Sequence, residues 1–237
     1  MPIGDVGDWE QIYAQDFTES VARGSFLTSR YTDQLLAYDG PDTSGKGRYD
    51  AESVLSVQDG RLTWDIGTRD GVPRVAGVAV RHPGTGWGEQ YGRYSFRLRA
   101  DVAPGYKVVG ILWPDSDDWG EGEIDFPEVN ELTGEETIYA NRFRPGSGAG
   151  APGAAERFTT DVPLAGTGWH TATIEWAPDA LTFLLDGEEV GTFTDGVPDT
   201  AFHLVLQVET ELYGSAPDPG TSGRVEVDWV TMYDYAP

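Results

Sequence analysis

Residues 113–131 read Trp-Pro-Asp-Ser-Asp-Asp-Trp-Gly-Glu-Gly-Glu-Ile-Asp-Phe-Pro-Glu-Val-Asn-Glu, a run in which carboxylates alternate with large apolar side chains. Three of the acids, Glu123, Asp125 and Glu128, have a spacing that could do chemistry. On a β-strand residues two apart share a face, so Glu123 and Asp125 point together with Ile124 and Phe126 buried behind them. Glu128 would point the opposite way in a regular strand. One inserted residue, a β-bulge, restores its phase. Pro127 sits where that extra residue belongs, because proline cannot donate to the ladder and is tolerated in sheets mainly at edges and bulges. The pattern predicts three carboxylates in a row on one face.

Three adjacent carboxylates repel, so at least one should keep a proton near neutrality. Cleavage of a glycosidic bond uses such a set, one carboxylate ionised and one carboxylic acid protonated. If the strand is concave, the outer pair leans together, and a separation of about 5–5.5 Å would mean retention through a covalent glycosyl-enzyme. Asp125 between them would hold the proton balance and orient the nucleophile. Trp113 and Trp119, just upstream, offer flat apolar faces to pyranose rings. The plain alternative is a solvated acidic strand in an acidic protein. It leaves the alternation, the proline and the two tryptophans unexplained.

The elements that must position these groups are strands. Period-two alternation recurs along the chain and no long stretch has a 3.6 period. In 91–100, Tyr94, Phe96, Leu98 and Ala100 oppose Arg93, Ser95, Arg97 and Arg99; in 202–210, Phe202, Leu204, Leu206 and Val208 oppose His203, Val205, Gln207 and Glu209. Further strands are expected at 62–66, 75–80, 107–113, 137–143, 170–176 and 181–185, the last turning at Asp186-Gly187 into 189–193. Val225, Val227, Trp229, Thr231 and Tyr233 form one face of a closing strand. Turns every ten or so residues predict an all-β sandwich of two sheets in a single domain, 1–237. The segment 145–152, Pro-Gly-Ser-Gly-Ala-Gly-Ala-Pro, reads as a flexible loop.

Composition excludes several partners. Forty acidic residues against sixteen basic give a net charge of -24, which should repel nucleic acid and anionic membranes. With no cysteine there is neither a disulfide nor thiol chemistry. No run of about 18 apolar residues is present to span a membrane. The N-terminus lacks the regions of a signal peptide; the expectation is nevertheless a secreted protein whose leader is absent here, since the chemistry acts on polymers too large to enter a cell. A monomer is expected. His82, His170 and His203 show no metal-ligand spacing, so no catalytic cofactor is expected.

The 113–131 segment resembles the active-site strand of glycoside hydrolase family 16, in its bulged E-x-D-x-x-E branch, which includes laminarinase-type endo-β-1,3-glucanases. Tyr91-Gly-Arg-Tyr-Ser-Phe-Arg97, Trp169-His170 through Trp176 with Leu185-Asp186-Gly187, and Val227 to Tyr233 resemble further stretches of the family in the expected order. The resemblance implies a concanavalin A-like β-jelly-roll of two curved antiparallel sheets with an open concave cleft. It implies Glu123 as nucleophile, Asp125 as assisting carboxylate and Glu128 as general acid/base. It puts Trp119 at the subsite before the cleaved bond and makes Trp113, Arg97, Asn141, Arg142, Gln207 and Glu209 candidates for substrate binding. Asp228, on the final strand, would be the ligand of a structural Ca2+, a suitable oxygen donor for that ion. The implied activity is retaining endo-hydrolysis of a polysaccharide, first a β-1,3- or mixed-linkage glucan. Two alternatives stand beside it. Arg142 and Arg144 could pair with a carboxylate or sulfate, giving a galactan, agar or anionic substrate, or the sandwich could be a non-catalytic carbohydrate-binding module. Laminarinase-type members often carry a His on the strand after the catalytic one, and 137–144 has none, which leaves the polymer open.

Overall fold

The computed structural model describes residues 1–147 and 155–237. Of the loop expected at 145–152, residues 148–152 lie outside the described residues. The first strands are β1 (Trp9–Gln15), β2 (Leu35–Ala37), β3 (Asp39–Pro41), β4 (Arg48–Asp50), β5 (Leu55–Gln58), β6 (Arg61–Arg69) and β7 (Val72–Val80). The middle of the chain forms β8 (Gly92–Ala100), β9 (Tyr106–Pro114), β10 (Glu123–Val129), β11 (Thr137–Phe143) and β12 (Ala155–Pro163). The last five are β13 (His170–Ala177), β14 (Ala180–Leu185), β15 (Glu188–Phe193), β16 (Phe202–Thr210) and β17 (Ser222–Tyr235). The strands expected from alternation are present, most of them extended by a residue or more. β1, β12 and the short strands β2 to β5 were not expected, their alternation being too weak or too brief to read.

Two antiparallel sheets stack. One runs β12-β11-β10-β9-β16-β7-β2. The other runs β15-β14-β13-β8-β17, with β6 against the first half of β17, β1 against its second half, and β5 beyond β6. β7 belongs to both: Ala76–Val80 pairs with β16, while its start pairs with β6 and, in parallel, with β4. This is the jelly-roll sandwich that the resemblance implied.

Between the sheets lies one apolar core. Leu112, Ile124, Phe126, Phe96, Leu98, Ile174, Trp176 and Phe183 are all buried in it, and each side chain of this size contributes about 1.5–3 kcal/mol by leaving water. The two most buried tryptophans keep their polar ends satisfied: Trp64 Nε1 donates to the Ala76 carbonyl at 3.0 Å and Trp176 Nε1 to that of Pro198 at 2.9 Å. The carboxylate strand β10 rests directly on this core. On β9, beneath the bulge, a Cβ at Gly110 would stand 2.5 Å from Phe96 Cζ and 2.7 Å from the Phe126 carbonyl oxygen, so only glycine lets the two strands approach.

Candidate active site

β10 carries the acids as the alternation required. Its register advances from Asp125 to Glu128, three residues, while β9 advances from Ile111 to Val109 and β11 from Asn141 to Tyr139, two residues each. One residue is extra, and Phe126 and Pro127 lie within the bulge that holds it. Glu123, Asp125 and Glu128 therefore share a face with Ile111 and Val109 on one side and Asn141 and Tyr139 on the other. Ile124, Phe126 and Val129 are buried in the core. Gly122, immediately ahead of Glu123, has φ +104° and ends the single helical turn Trp119–Glu121. A side chain there would meet the Phe143 carbonyl at 2.8 Å. That turn is capped by Asp118, whose carboxylate accepts from Gly120 N at 2.8 Å, and it presents Trp119 to Glu123.

Each carboxylate has a different environment. Glu123 Oε2 accepts a hydrogen bond from Trp119 Nε1, and Trp119 is steadied edge-on by the Phe143 ring at 5.3 Å. Burial raises the Glu123 carboxyl above its ordinary range, against the lowering effect of the hydrogen bonds from Trp119 and Asp125. Asp125 is pushed much further: burial, then the charges of Glu123 and Glu128, hold its carboxyl well above the usual value. Of the three, Asp125 has the surroundings that most favour the protonated form. Glu128 is gripped from both sides, Oε1 by Lys107 Nζ at 2.8 Å and Oε2 by Asn141 Nδ2. Asn141 is aligned in turn by Arg157 Nε, 2.9 Å from its Oδ1.

Lys107 is the group that sequence reading missed. Burial pulls its ammonium down, but the carboxylates around it, Glu128 first and then Glu209, outweigh that and hold it above its ordinary range. It reaches Glu209 Oε1 at 3.5 Å, and Tyr49 Oη donates to Glu209 Oε2 at 3.1 Å. The available signal was its phase: β9 residues 107, 109, 111 and 113 share the face of the acids, and only two lysines occur in the chain.

Beside the acids the concave face opens into a cavity of about 410 Å3, lined in part by Glu123, Trp113, Gln207 and Glu209. Trp113 Nε1 donates to Asp117 Oδ1 at 3.0 Å. Gln207 lies 3.4 Å from Thr43 Oγ1. The structure thus gathers Glu123, Asp125, Glu128, Trp113, Trp119, Asn141, Gln207 and Glu209 on one face.

Three sequence candidates lie elsewhere. Arg142 follows Asn141 on β11, so it points to the opposite face. It is fully buried, stacked 4.0 Å from the Phe193 ring, and hydrogen-bonded to Glu156 and the Asp195 carbonyl. Arg144 is likewise engaged, with Glu156 at 2.6 Å and Asp195 at 2.8 Å. Arg97 is on the other sheet, on the convex surface, paired with Asp228 at 2.9 Å and lying 5.0 Å from the Trp169 ring. That same pair bears on the Ca2+ expectation. Asp228 Oδ2 is occupied by a guanidinium, which repels a second cation, and among the described residues no group of three or more His, Cys, Asp or Glu is placed to hold a metal. As placed, the residues around Asp228 do not fit a Ca2+.

The chain is 28% identical over 154 residues to Congo red hypersensitive protein 1 of Saccharomyces cerevisiae, a match covering 62% of this chain and 27% of that one. It is 23% identical over 159 residues to the Beta-glucanase of Fibrobacter succinogenes, covering 62% and 44%. The chain thus spans less than half the length of these curated relatives. Its fold superposes on that of SCLam, described as a non-specific endo-beta-1,3(4)-glucanase, with a TM-score of 0.79 at 18% identity, covering 99% of this chain and 94% of the other. The family model for glycosyl hydrolases family 16 matches residues 86–231. That span is more than half of the chain and runs from before β8 into β17, with the whole carboxylate strand inside it, so the chain belongs to glycosyl hydrolases family 16.

Proposed function

We propose that the protein is a secreted, retaining endo-β-glycosidase acting on a neutral β-glucan, with β-1,3 or mixed β-1,3/1,4 linkages. The observation that carries this reading is the bulged β10, which lines three carboxylates along an open concave face and gives each different hydrogen-bond partners. Glu123 acts ionised, accepting from Trp119 Nε1, and attacks the anomeric carbon; Glu128 enters the step protonated, with a proton additional to that of Asp125, and gives it to the departing oxygen as the C–O bond to the leaving sugar breaks. Glu128 then takes a proton from water, whose oxygen attacks the same carbon and releases Glu123. Asp125 keeps its proton throughout, acting on Glu123 rather than on the sugar.

The polymer is read from the charges in the cleft. Asp117, Glu123 and Glu209 border the cavity, and Lys107 is committed to Glu128 and Glu209. The arginines that motivated an anionic substrate, Arg142 and Arg144, are bound to Glu156 and Asp195. Arg157 is spent on Asn141 and on the Tyr139 ring, 3.8 Å away. Such a cleft favours uncharged sugars. A purely binding role leaves unexplained why like charges should be buried side by side, at a cost that a lectin would have no reason to bear. Secretion follows from the size of such a substrate; among the described residues no helix is long and apolar enough to cross a membrane.

The test is product analysis on β-1,3-glucan, mixed-linkage β-glucan, a galactan and a uronate-containing polymer. Soluble oligosaccharides should appear from the neutral β-glucans. Products from the galactan or the uronate polymer alone would replace the substrate, and cleavage of none would remove the hydrolase reading.

A further inference from the structure

Residues beyond the acids show how far the cleft extends. Across the concave face, β9 and β16 pair Ile111 with Val205 and Trp113 with His203, and β16 pairs Val205 with Ala79 of β7. Ala79, Val109, Ile111 and Val205 form a small apolar cluster separate from the main core, and three aromatic side chains pack on it: Tyr38, Trp87 and Trp113. Trp113 borders the cavity beside Glu123. Trp87 lies further out. Its ring stacks on His203 with centroids 4.2 Å apart and planes 34° apart, and it is half-buried overall.

This tryptophan is set on a rigid mount. His82 Nδ1 accepts from Gly84 N at 3.0 Å and Thr85 N at 3.1 Å, and its Nε2 lies 2.8 Å from Asp234 Oδ1. Thr85 Oγ1 donates to the Gly88 carbonyl at 2.6 Å, and the Trp87 carbonyl accepts from His82 N at 2.9 Å. Glu89 then pairs with Phe202 through two backbone hydrogen bonds. Beneath the indole, His203 is fixed by Asp115 Oδ1 at 2.9 Å, and burial pulls its imidazole below the ordinary range. A large amphipathic ring held this firmly and left partly exposed has lost its conformational entropy before any ligand arrives. Tyr38 and Trp113 pack on the same apolar cluster.

We infer that Trp87 is a remote sugar-binding platform, the end of a line Trp119–Trp113–Trp87 that crosses the strands away from Glu123. Adjacent strands lie about 4.8 Å apart, so β16 stands about 10 Å from β10, roughly two pyranose rings beyond the cleaved unit. The class of ligand is an extended neutral β-linked oligosaccharide, with the apolar C–H face of a ring against the indole. This inference rests on the glycosidase reading above. It adds that affinity should depend on chain length, with a step where the ligand grows long enough to reach Trp87.

The experiment measures binding of a β-glucan disaccharide and hexasaccharide to Glu123→Gln, which cannot turn them over, with and without Trp87→Ala. The hexasaccharide should bind about five- to tenfold more weakly to Trp87→Ala, with the disaccharide unaffected. Trp87→Phe, which keeps a stacking face, should recover most of the loss. Equal losses for both lengths would make Trp87 a structural residue of the site, and no loss for the hexasaccharide would place it outside the cleft; either result overturns the platform. If Glu123→Gln itself binds neither length, the site reading falls and the platform falls with it. If it binds both and Trp87→Ala matches it, only the platform falls.

Discussion

The two faces of the sandwich hold similar ion pairs in opposite settings. On the convex surface Arg93 meets Glu175 at 2.9 Å, Arg97 meets Asp228 at 2.9 Å and Arg99 meets Glu226, a ladder in which every charge has a partner. On the concave face four carboxylates, Glu123, Asp125, Glu128 and Glu209, gather around the single ammonium of Lys107. The contact distances barely differ, 2.8 Å for Lys107–Glu128 and 2.9 Å for Arg97–Asp228. The side chains of the first pair are each 7% exposed, those of the second 40% and 30%. Burial and imbalance, more than distance, separate a face that merely tiles the surface from one that stores electrostatic strain for use.

The largest effect that would break this contrast is at Lys107. Lys107→Met leaves Glu128 and Glu209 buried without their counter-charge and should cost about 3–5 kcal/mol in denaturant unfolding. Adding Glu209→Gln should return part of that loss. A change below about 1 kcal/mol would mean that the cluster is far better hydrated than its burial indicates.

A smaller effect, of opposite sign, is expected at Asp125. Its carboxyl is held well above its ordinary value by burial and by Glu123 and Glu128. Between the unfolded and folded values the folded chain keeps a proton that the unfolded chain has released, so stability falls as pH rises through that window. Asp125→Asn removes this loss. It should raise Tm by roughly 3 °C at pH 7 and by less and less toward pH 4, while lowering activity. A Tm difference that is flat with pH would deny the raised carboxyl.

Arg97→Ala should be the smallest of the three, within about 0.5 kcal/mol and without effect on turnover, because its pair is exposed to solvent. A loss of activity there would link the two faces in a way that the contacts do not provide.

How much of this could be read from the chain follows from how local each feature is. Pro127 and the five-residue step from Glu123 to Glu128 specify the bulge by themselves, since phase within one strand is a local property. Gln207 and Glu209 were placed correctly by the same rule. It also separates Asn141 from Arg142, because neighbours on a strand face opposite ways, so only one of the two could reach the cleft. Arg97 shows the limit. Alternation identified its polar face but not that β8 lies in the convex sheet, which depends on pairing with β13 and β17, far away in sequence. Lys107 and Trp87 were hidden for the same reason: their meaning comes from Glu128 and His203, brought beside them only when the sheet assembles.

The central claim, that Glu123 and Glu128 work as nucleophile and acid/base across a bound sugar, is tested most directly by the stereochemistry of the first product. Proton NMR during early hydrolysis of a soluble β-glucan should show the β-anomer of the new reducing end before mutarotation, as double displacement requires. Initial appearance of the α-anomer would mean direct attack by water, and would contradict the roles assigned to the two glutamates.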